Sequence, residues 1–391
     1  MREDRRGRYS HGALIRIASA GLLGVLALLP SSAPAQARTK SAARATEVSI
    51  RGEDFYINGK PTYAGRVWQG HRIEGLLFNA RMVNGIFDDL NPETRARWSY
   101  PDGSAWSAER NTNEFIAAMR DWREHGLLGF TINLQGGSPE GYSHGQPWIN
   151  SAFAPDGSLR PEYMARLGRI LDRADELGMV AIVGYFYQAQ DKQLTNEAAV
   201  LGAVDNATKW ILEHGYRNVL IEIDNECDQH YANAILQPQR VDELITRVRG
   251  ITRSGRRLLV ATSYSGVVPG AKVVAAEDFV LVHANGVKTT ERLREEIRAI
   301  RTMAGWTGKP LVFNEDDHTD FDKPENDLLV AVSEHASWGF FDYRRKGESL
   351  NEGYQSVPAD WKIDSERKRE FFGLVSQITG EGGGVRSRRE R

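Results

Sequence analysis

The chain has 391 residues, 41% of them apolar, and 50 basic against 52 acidic side chains give it a formal charge of −2. That balance excludes the basic footprint of a nucleic-acid binder, and the single cysteine, Cys227, excludes an intramolecular disulfide and a lipid-anchored N-terminal cysteine. The length suits one α/β barrel with long loops about as well as two average domains.

Residues 1–37 read as an export signal rather than as part of a fold. Arg2, Arg5, Arg6, Arg8 and Arg16 form a basic leader, 17–29 is an apolar run too short to span a bilayer comfortably, and Ala35-Gln36-Ala37 is a small-x-small cleavage site. The expected product is secreted or periplasmic, begins near Arg38 and has no stable membrane association. An uncleaved anchor helix is the alternative, and the Arg5-Arg6 pair leaves both general and twin-arginine export open. Without this leader the formal charge falls to about −5. Next, 48–63 reads as a β-hairpin with Asn58-Gly59 at its turn, placed to close the N-terminal end of whatever follows.

The remainder alternates. Apolar runs at 129–135, 180–188, 218–226, 258–264, 279–284, 311–315 and 338–343, with a first strand near Tyr63 to Trp68, give eight strands. Helical patterns at 113–125, 164–177, 197–213, 240–252, 291–303, 326–336 and 365–377 fill most of the gaps, several closed by Gly126, Gly178 or Gly215. This predicts a (β/α)8 TIM barrel over 38–379, with an N-terminal hairpin and long βα loops at one face. A doubly wound open sheet competes, but no GxGxxG turn follows an early strand. The last twelve residues, 380–391, are glycine and then mostly arginine, which predicts a disordered tail.

Two strands end unusually. Asn218 to Asp228 reads NVLIEIDNECD and Lys309 to Asp320 reads KPLVFNEDDHTD; each is an apolar run closing on Asn-Glu. Carboxylates are costly to desolvate unless paired, so such clusters point to a wet functional cavity. In a parallel barrel the C-terminal strand ends meet at one face, which brings Glu226 and Glu315 together. Two carboxyls across a sugar-sized cleft are what glycosidic bond cleavage requires, one as proton donor and one as nucleophile or base. The competing reading is a salt-bridge network at the barrel rim.

The long segments 69–112 and 136–161 carry Arg81, Trp98, Trp106, Tyr142 and Trp148, whose aromatic faces and polar groups suit a sugar ring. Tyr185 and Tyr187 at the end of the third strand and Tyr343 at the eighth are expected at the cavity mouth. Cys227 with His230 offers a thiol-hydrolase alternative, against which a free cysteine more often behaves as a small hydrophobe. Asp316, Asp317, His318, Asp320 and Asp322 offer a cation-dependent alternative, although the run matches no EF-hand spacing and no HExxH occurs.

The order hairpin, barrel, Glu222-x-x-Asn225-Glu226 on strand four and Asn314-Glu315 on strand seven resembles the clan A glycoside hydrolases, retaining (β/α)8 enzymes that include the cellulase-like family five. The resemblance implies Glu226 as acid/base, Glu315 as nucleophile, Asn225 on the sugar 2-hydroxyl and His283 against the nucleophile. It implies a poly- or oligosaccharide substrate and no cofactor or metal. The sequence departs from that pattern at Cys227, where proline or a small residue is usual, and on strand two, where Asn133 and Gln135 stand in place of an arginine and become substrate-binding candidates. A carbohydrate-binding barrel without turnover is the remaining alternative.

Overall fold

The computed structural model describes residues 44–142, 145–266 and 268–382; the segment expected to be an export leader and residues 383–391 of the expected tail lie outside the described residues. Eight parallel strands follow one another round a ring: β1 (Asn79–Arg81), β2 (Gly129–Asn133), β3 (Val180–Tyr187), β4 (Val219–Asn225), β5 (Leu259–Ala261), β6 (Val280–His283), β7 (Leu311–Glu315) and β8 (Gly339–Phe340). One continuous sheet runs from β8 through β1 to β5, and β6 pairs with β7. Bridges Val312–Ser337 and Asp316–Phe340 join β7 to β8. Across the other seam Asp278 N–H donates to Val260 O (3.0 Å) and His283 N–H to Tyr264 O (2.9 Å). The ring is therefore closed, and the fold is the expected (β/α)8 barrel.

Helices α1 (Ala108–Glu124), α2 (Pro161–Leu177), α3 (Glu197–Glu213), α4 (Val241–Gly250), α5 (Ala271–Ala276), α6 (Thr290–Arg301), α7 (Asp327–Ser333) and α8 (Glu366–Thr379) alternate with and follow the strands. In α2, Met164, Leu167, Ile170, Leu171 and Ala174 form the buried stripe expected from a period of 3.6. That helix starts three residues before its apolar pattern, because Pro161 suits the first turn, where its missing N–H costs nothing. It stops at Gly178, whose left-handed φ of 70° caps it. Among the described residues no helix is long and apolar enough to cross a membrane.

The strands are buried on both faces, as parallel barrel strands must be. Ala181, Val183, Ile221 and Ile223 face the helices, while Val180, Ile182 and Leu220 pack inside with Leu77, Leu128, Leu281 and Val312 at the N-terminal end. Phe55 enters that inner cluster, its ring meeting Phe279 edge-on at 6.2 Å. It comes from the N-terminal antiparallel segment, where 48–51 pairs with 54–57 around Gly52-Glu53, a turn that was not expected. The Asn58-Gly59 turn then adds a short third strand at Lys60–Pro61, and its two left-handed residues (φ 53° and 75°) match the twist of such a turn.

The first barrel strand is not where the pattern placed it. Val67–Trp68 forms a short antiparallel pair with His71–Arg72, and the barrel strand is Asn79–Arg81. Asn79 and Arg81 break the apolar run that Leu76-Leu77-Phe78 begin and Met82-Val83 continue, so the strand does not read as one. Their polar side chains are nevertheless fully buried: the Asn79 amide donates to Trp338 O at 3.2 Å, and Arg81 enters the site described next.

Candidate active site

Glu226 follows β4 with a left-handed backbone (φ 57°). Its N–H donates to Ser263 Oγ (2.8 Å) and that of Cys227 to Ser263 O (2.9 Å), so the loop after β5 pins this turn. Glu315 is the last residue of β7. Its Oε1 accepts from Asn285 Nδ2 at 2.7 Å, and Arg81 Nε lies 2.5 Å from its Oε2 as a close ion contact rather than an aligned hydrogen bond. His283, at the end of β6, stands between the two: Nδ1 is 3.0 Å from Glu226 Oε1 and 3.4 Å from Glu315 Oε2, while Nε2 faces Glu222 at 3.7 Å. One oxygen of each glutamate and one imidazole nitrogen all lie within 4.8 Å of one another.

Asn225 completes the network. Arg81 Nη2 donates to its Oδ1, its Nδ2 donates to Gln188 Oε1 at 3.1 Å, and its backbone carbonyl accepts from Tyr231 OH at 2.6 Å. Gln188 in turn reaches Glu226 Oε2 with a long 3.5 Å contact.

Three carboxylates, Glu222, Glu226 and Glu315, thus face two cations. Burial pulls the His283 pKa down, but the charge of Glu315 and the contacts with Glu222 and Glu226 outweigh it and raise it to about 10. Burial pushes Glu222 up, yet His283 and Arg81 bring it below its ordinary value. Glu315 is pushed above its ordinary value by burial, opposed by Arg81 and His283. Arg81 is held charged despite burial by Glu315 and Glu222.

The cluster opens into a cleft of about 310 Å³ that reaches Glu226, Glu315, Tyr187, Gln188, Tyr142 and Phe341, near the lower end of typical ligand pockets. Larger hollows of about 450 and 640 Å³ lie on the outer helix layer, away from these strand ends, and hold neither glutamate. We assign the site to the smaller cleft because the buried charges converge there.

The structure brings Glu226, Glu315, Asn225, His283, Arg81 and Tyr187 to this cleft or its floor. Other candidates lie elsewhere. Tyr185 points outward to the helix layer, fully buried, with its hydroxyl 3.1 Å from Thr208 Oγ1 of α3; strand alternation turns it away from the mouth. Trp148 is also fully buried, packed edge-on against Trp98 at 5.7 Å in a loop core with Phe87 and Val357, and offers no face to a sugar. Gln135 donates to Ser151 Oγ at 3.2 Å within the loop after β2. Asn133 is buried inside the barrel, flanking Gly184 together with Glu222. Tyr343 is half-buried and backs Tyr142 at 4.9 Å, leaving Phe341 at the cleft wall.

The thiol alternative does not find its geometry, and the cation alternative finds part of it: Asp316, Asp317 and His318 each offer one ligand atom within 4.8 Å of the others. Cys227 is buried, and burial with the nearby Asp224 pushes its thiol well above the usual range, while His230 is exposed at the cleft edge. His318 Nδ1 lies 2.6 Å from Asp316 Oδ1 and 3.2 Å from Asp327 Oδ2, and Asp316 also accepts from Trp338 Nε1 at 2.8 Å. The hydrogen bond to Asp316 raises His318 to about 9, which makes it an ion-pair partner of that carboxylate. Asp320 pairs with Lys323 at 2.9 Å instead of joining the group. The Glu226–His283–Glu315 set is close enough to ligate a cation, but Arg81 and the charged imidazole already supply the positive charge there.

Gln188, Asn285 and Ser263 were not legible as site residues. Each is a lone polar residue with no spacing that marks it, and only the barrel's closure brings them to the glutamates.

No family model matches the chain, and no curated protein sequence does. Solved structures do. The chain is similar to an endo-1,4-beta-mannanase from Rhizomucor miehei at a TM-score of 0.54 and 11% identity, over 85% of this chain and 99% of that one. It is similar to a GH2 beta-galacturonidase from Eisenbergiella tayi at a TM-score of 0.50 and 12% identity, over 84% of this chain and 54% of that one. At such identities the likeness establishes the fold: the barrel built here from strand order and closure is one that solved glycoside hydrolases also have.

Proposed function

We propose that this chain is a retaining glycoside hydrolase acting on a carbohydrate through Glu226 and Glu315. The observation that carries the proposal is the approach of the two carboxyls, with one oxygen of each within 4.8 Å. A double displacement needs about 5–5.5 Å between the carboxyl groups and inversion about 6.5–9.5 Å to admit a water; nearest oxygens this close favour the shorter separation.

The surroundings divide the roles. Arg81, Asn285 and His283 all meet Glu315; burial leaves its pKa above the ordinary value, but two cations and one amide oppose that rise and orient the carboxylate for attack on the anomeric carbon. Glu226 shares His283 but touches no guanidinium, and its side chain is 15% exposed against 6% for Glu315, which suits it to give a proton to the departing oxygen. In the second step Glu226 takes a proton from water, and the water oxygen displaces Glu315 from the sugar. Asn225, held by Arg81 and Gln188, is placed to meet a sugar hydroxyl.

Export belongs to the same proposal and rests on the composition of the leader. N-terminal sequencing of the native protein checks it: a start near Arg38 is expected, and an intact Met1 on a membrane-bound product refutes it.

The mechanism is tested by assaying Glu315→Gln and Glu226→Gln on activated aryl glycosides and on unactivated oligosaccharides, with product configuration followed by NMR. Retention is expected. Glu315→Gln loses both activities, and Glu226→Gln spares formation of the glycosyl-enzyme only where the leaving group is already acidic. Inversion, or equal losses for Glu226→Gln on both substrates, overturns the assignment. Sugar binding without turnover by the unaltered protein points to a carbohydrate-binding barrel.

A further inference from the structure

Glu222 carries no step of the reaction proposed above, yet it is a fully buried carboxylate beneath the two that do. Two residues beyond Leu220, strand alternation keeps its side chain inside the barrel. Oε1 lies 3.7 Å from His283 Nε2 and has no hydrogen-bond partner among the described residues, while Oε2 takes a long 3.4 Å hydrogen bond from Asn314 Nδ2. A buried carboxylate so loosely hydrogen-bonded is costly unless an opposite charge stands beside it. His283 is that charge.

The backbone sets the imidazole among three glutamates. The register of β6 on β7 slips by one residue after Val282–Phe313, so that His283 pairs with Glu315 and skips Asn314. Such irregularities re-aim side chains beside active sites. Nδ1 meets both catalytic carboxyls, Glu226 at 3.0 Å and Glu315 at 3.4 Å, and Nε2 faces Glu222. Arg81 is 2.5 Å from Glu315 and donates to Asn225, with no ion pair to Glu226 among the described residues.

Negative charge moves between the two catalytic carboxyls during the proposed reaction. Glu315 starts as the carboxylate and Glu226 as the acid. As Glu315 bonds to the anomeric carbon, the bond to the departing oxygen breaks and that oxygen takes the Glu226 proton, which leaves the charge on Glu226. Water then gives a proton to Glu226 and its oxygen to the sugar, and the electron pair of the ester bond returns to Glu315. The pair therefore carries one negative charge in both states. Together with Arg81, a protonated His283 and an ionised Glu222, it sums to zero each time.

The charged and titratable groups around His283 and Glu222 are Arg81 from β1, Tyr187 from β3, Asp224 and Glu226 from β4 and Glu315 from β7, with Tyr142 beyond Glu315. Burial raises Tyr187, Asp224 and Tyr142 above their ordinary values, and they enter the sum protonated. Asn133 and Ser263, from β2 and the loop after β5, do not titrate.

We propose that Glu222 is a positioning residue that holds His283 as a fixed cation shared by the two catalytic carboxyls, so that one imidazole balances the negative charge first on Glu315 and then on Glu226. This rests on the two-glutamate reading above.

The test compares the full-length protein with Glu222→Gln, which keeps the shape of the side chain and removes its charge. Nitrogen NMR of the histidine rings, with His283 assigned through His283→Gln, follows protonation directly. In the unaltered protein His283 should stay protonated up to about pH 10, and in Glu222→Gln it should titrate about 1–3 pH units lower. Removing the anion makes every nearby proton easier to lose, so both limbs of the kcat/KM profile should move to lower pH. Glu222→Gln added to His283→Gln restores the charge sum and should cost no further activity.

A His283 that titrates near 6.5 in the unaltered protein overturns the proposal whether or not the variant folds. An unchanged His283 titration in Glu222→Gln also overturns it. So does a loss of activity with both limbs unmoved, or losses that multiply in the double variant, since a purely structural carboxylate gives those results. The NMR titration needs no turnover, so its failure is separate from that of the two-glutamate reading. That reading falls if Glu315→Gln keeps full activity on activated glycosides, and the catalytic half of this proposal falls with it.

Discussion

Replacing His283 with Gln probes the charge balance that holds the candidate site together. The imidazole lies 3.0 Å from Glu226, 3.4 Å from Glu315 and 3.7 Å from Glu222, and it is 1% exposed. Against the downward pull of burial, these carboxylates raise its pKa from 6.5 to about 10. A tenfold change in proton affinity is about 1.4 kcal/mol, so the rise corresponds to on the order of 4–5 kcal/mol. That agrees with the roughly 3–5 kcal/mol lost when a buried ion pair is broken. Because the folded pKa lies above the unfolded one, the stabilisation is complete below about pH 6.5 and disappears as pH rises through about 10. Glutamine keeps polar atoms in roughly the same space but carries no charge. The variant should therefore be less stable by about 3–5 kcal/mol at pH 6, with the gap narrowing as pH rises from about 6.5 to about 10, where the unaltered protein also loses the charge. For a chain of this length the loss at pH 6 lowers the unfolding midpoint by roughly 5 °C. Urea unfolding of both proteins at pH 6, 8 and 10.5 measures it. Equal stability at pH 6, or a gap that stays constant through pH 10.5, would refute the idea that the imidazolium balances the carboxylates.

Arg81→Lys should lower kcat by roughly 10- to 1,000-fold with a smaller change in KM, because an ammonium cannot hold Glu315 and Asn225 at once; unchanged kcat in steady-state assays would remove Arg81 from the site. Cys227→Ala should keep turnover within about threefold, since the thiol is a small buried group, and native protein should resist iodoacetamide; inactivation by alkylation of the folded chain would restore the thiol-hydrolase reading. Tyr185→Phe should cost about 1 kcal/mol of stability through the lost bond to Thr208 and leave kcat/KM unchanged, whereas a changed kcat/KM would return Tyr185 to the cleft.

What the sequence revealed was what repeats or clusters. β4 and β7 were readable because apolar runs ending in Asn-Glu combine a strand signal with an anomalous load of carboxylates, and parallel strand order then dictates that their ends meet. Tyr185 and Trp148 went astray for different reasons. Alternation along β3 decides which face a tyrosine takes, and near a strand end one residue of uncertainty reverses the answer. For Trp148 composition could not separate a sugar platform from a loop core, and the core won because Trp98, Phe87 and Val357 close over it. Gln188 and Asn285 had no local signal at all. Their roles depend on neighbours tens of residues away, which only the closed ring supplies.

The missing strand-two arginine and the misplaced first strand have one explanation. A buried carboxylate in the position of Glu315 needs a cation beside it, and strand ends around a barrel mouth are near enough that more than one strand can provide it. Here β1 does so. In the register of the sheet Arg81 lies beside Thr131 of β2, and two residues further along β2 comes Asn133. Gly184 on β3 is flanked by Asn133 and Glu222 so closely that any side chain at 184 would strike the Asn133 amide. A guanidinium at 133 would therefore have to fit beside that of Arg81 over the same carboxylates, and two cations there would repel each other. The short, neutral asparagine avoids this, at the cost of amide atoms without partners among the described residues. The cation that the resemblance placed on strand two is thus present, moved one strand round the ring. That shift also helps explain why β1 escaped detection: Asn79 and Arg81 interrupt the buried apolar run from Leu76 to Val83 that would otherwise have marked it.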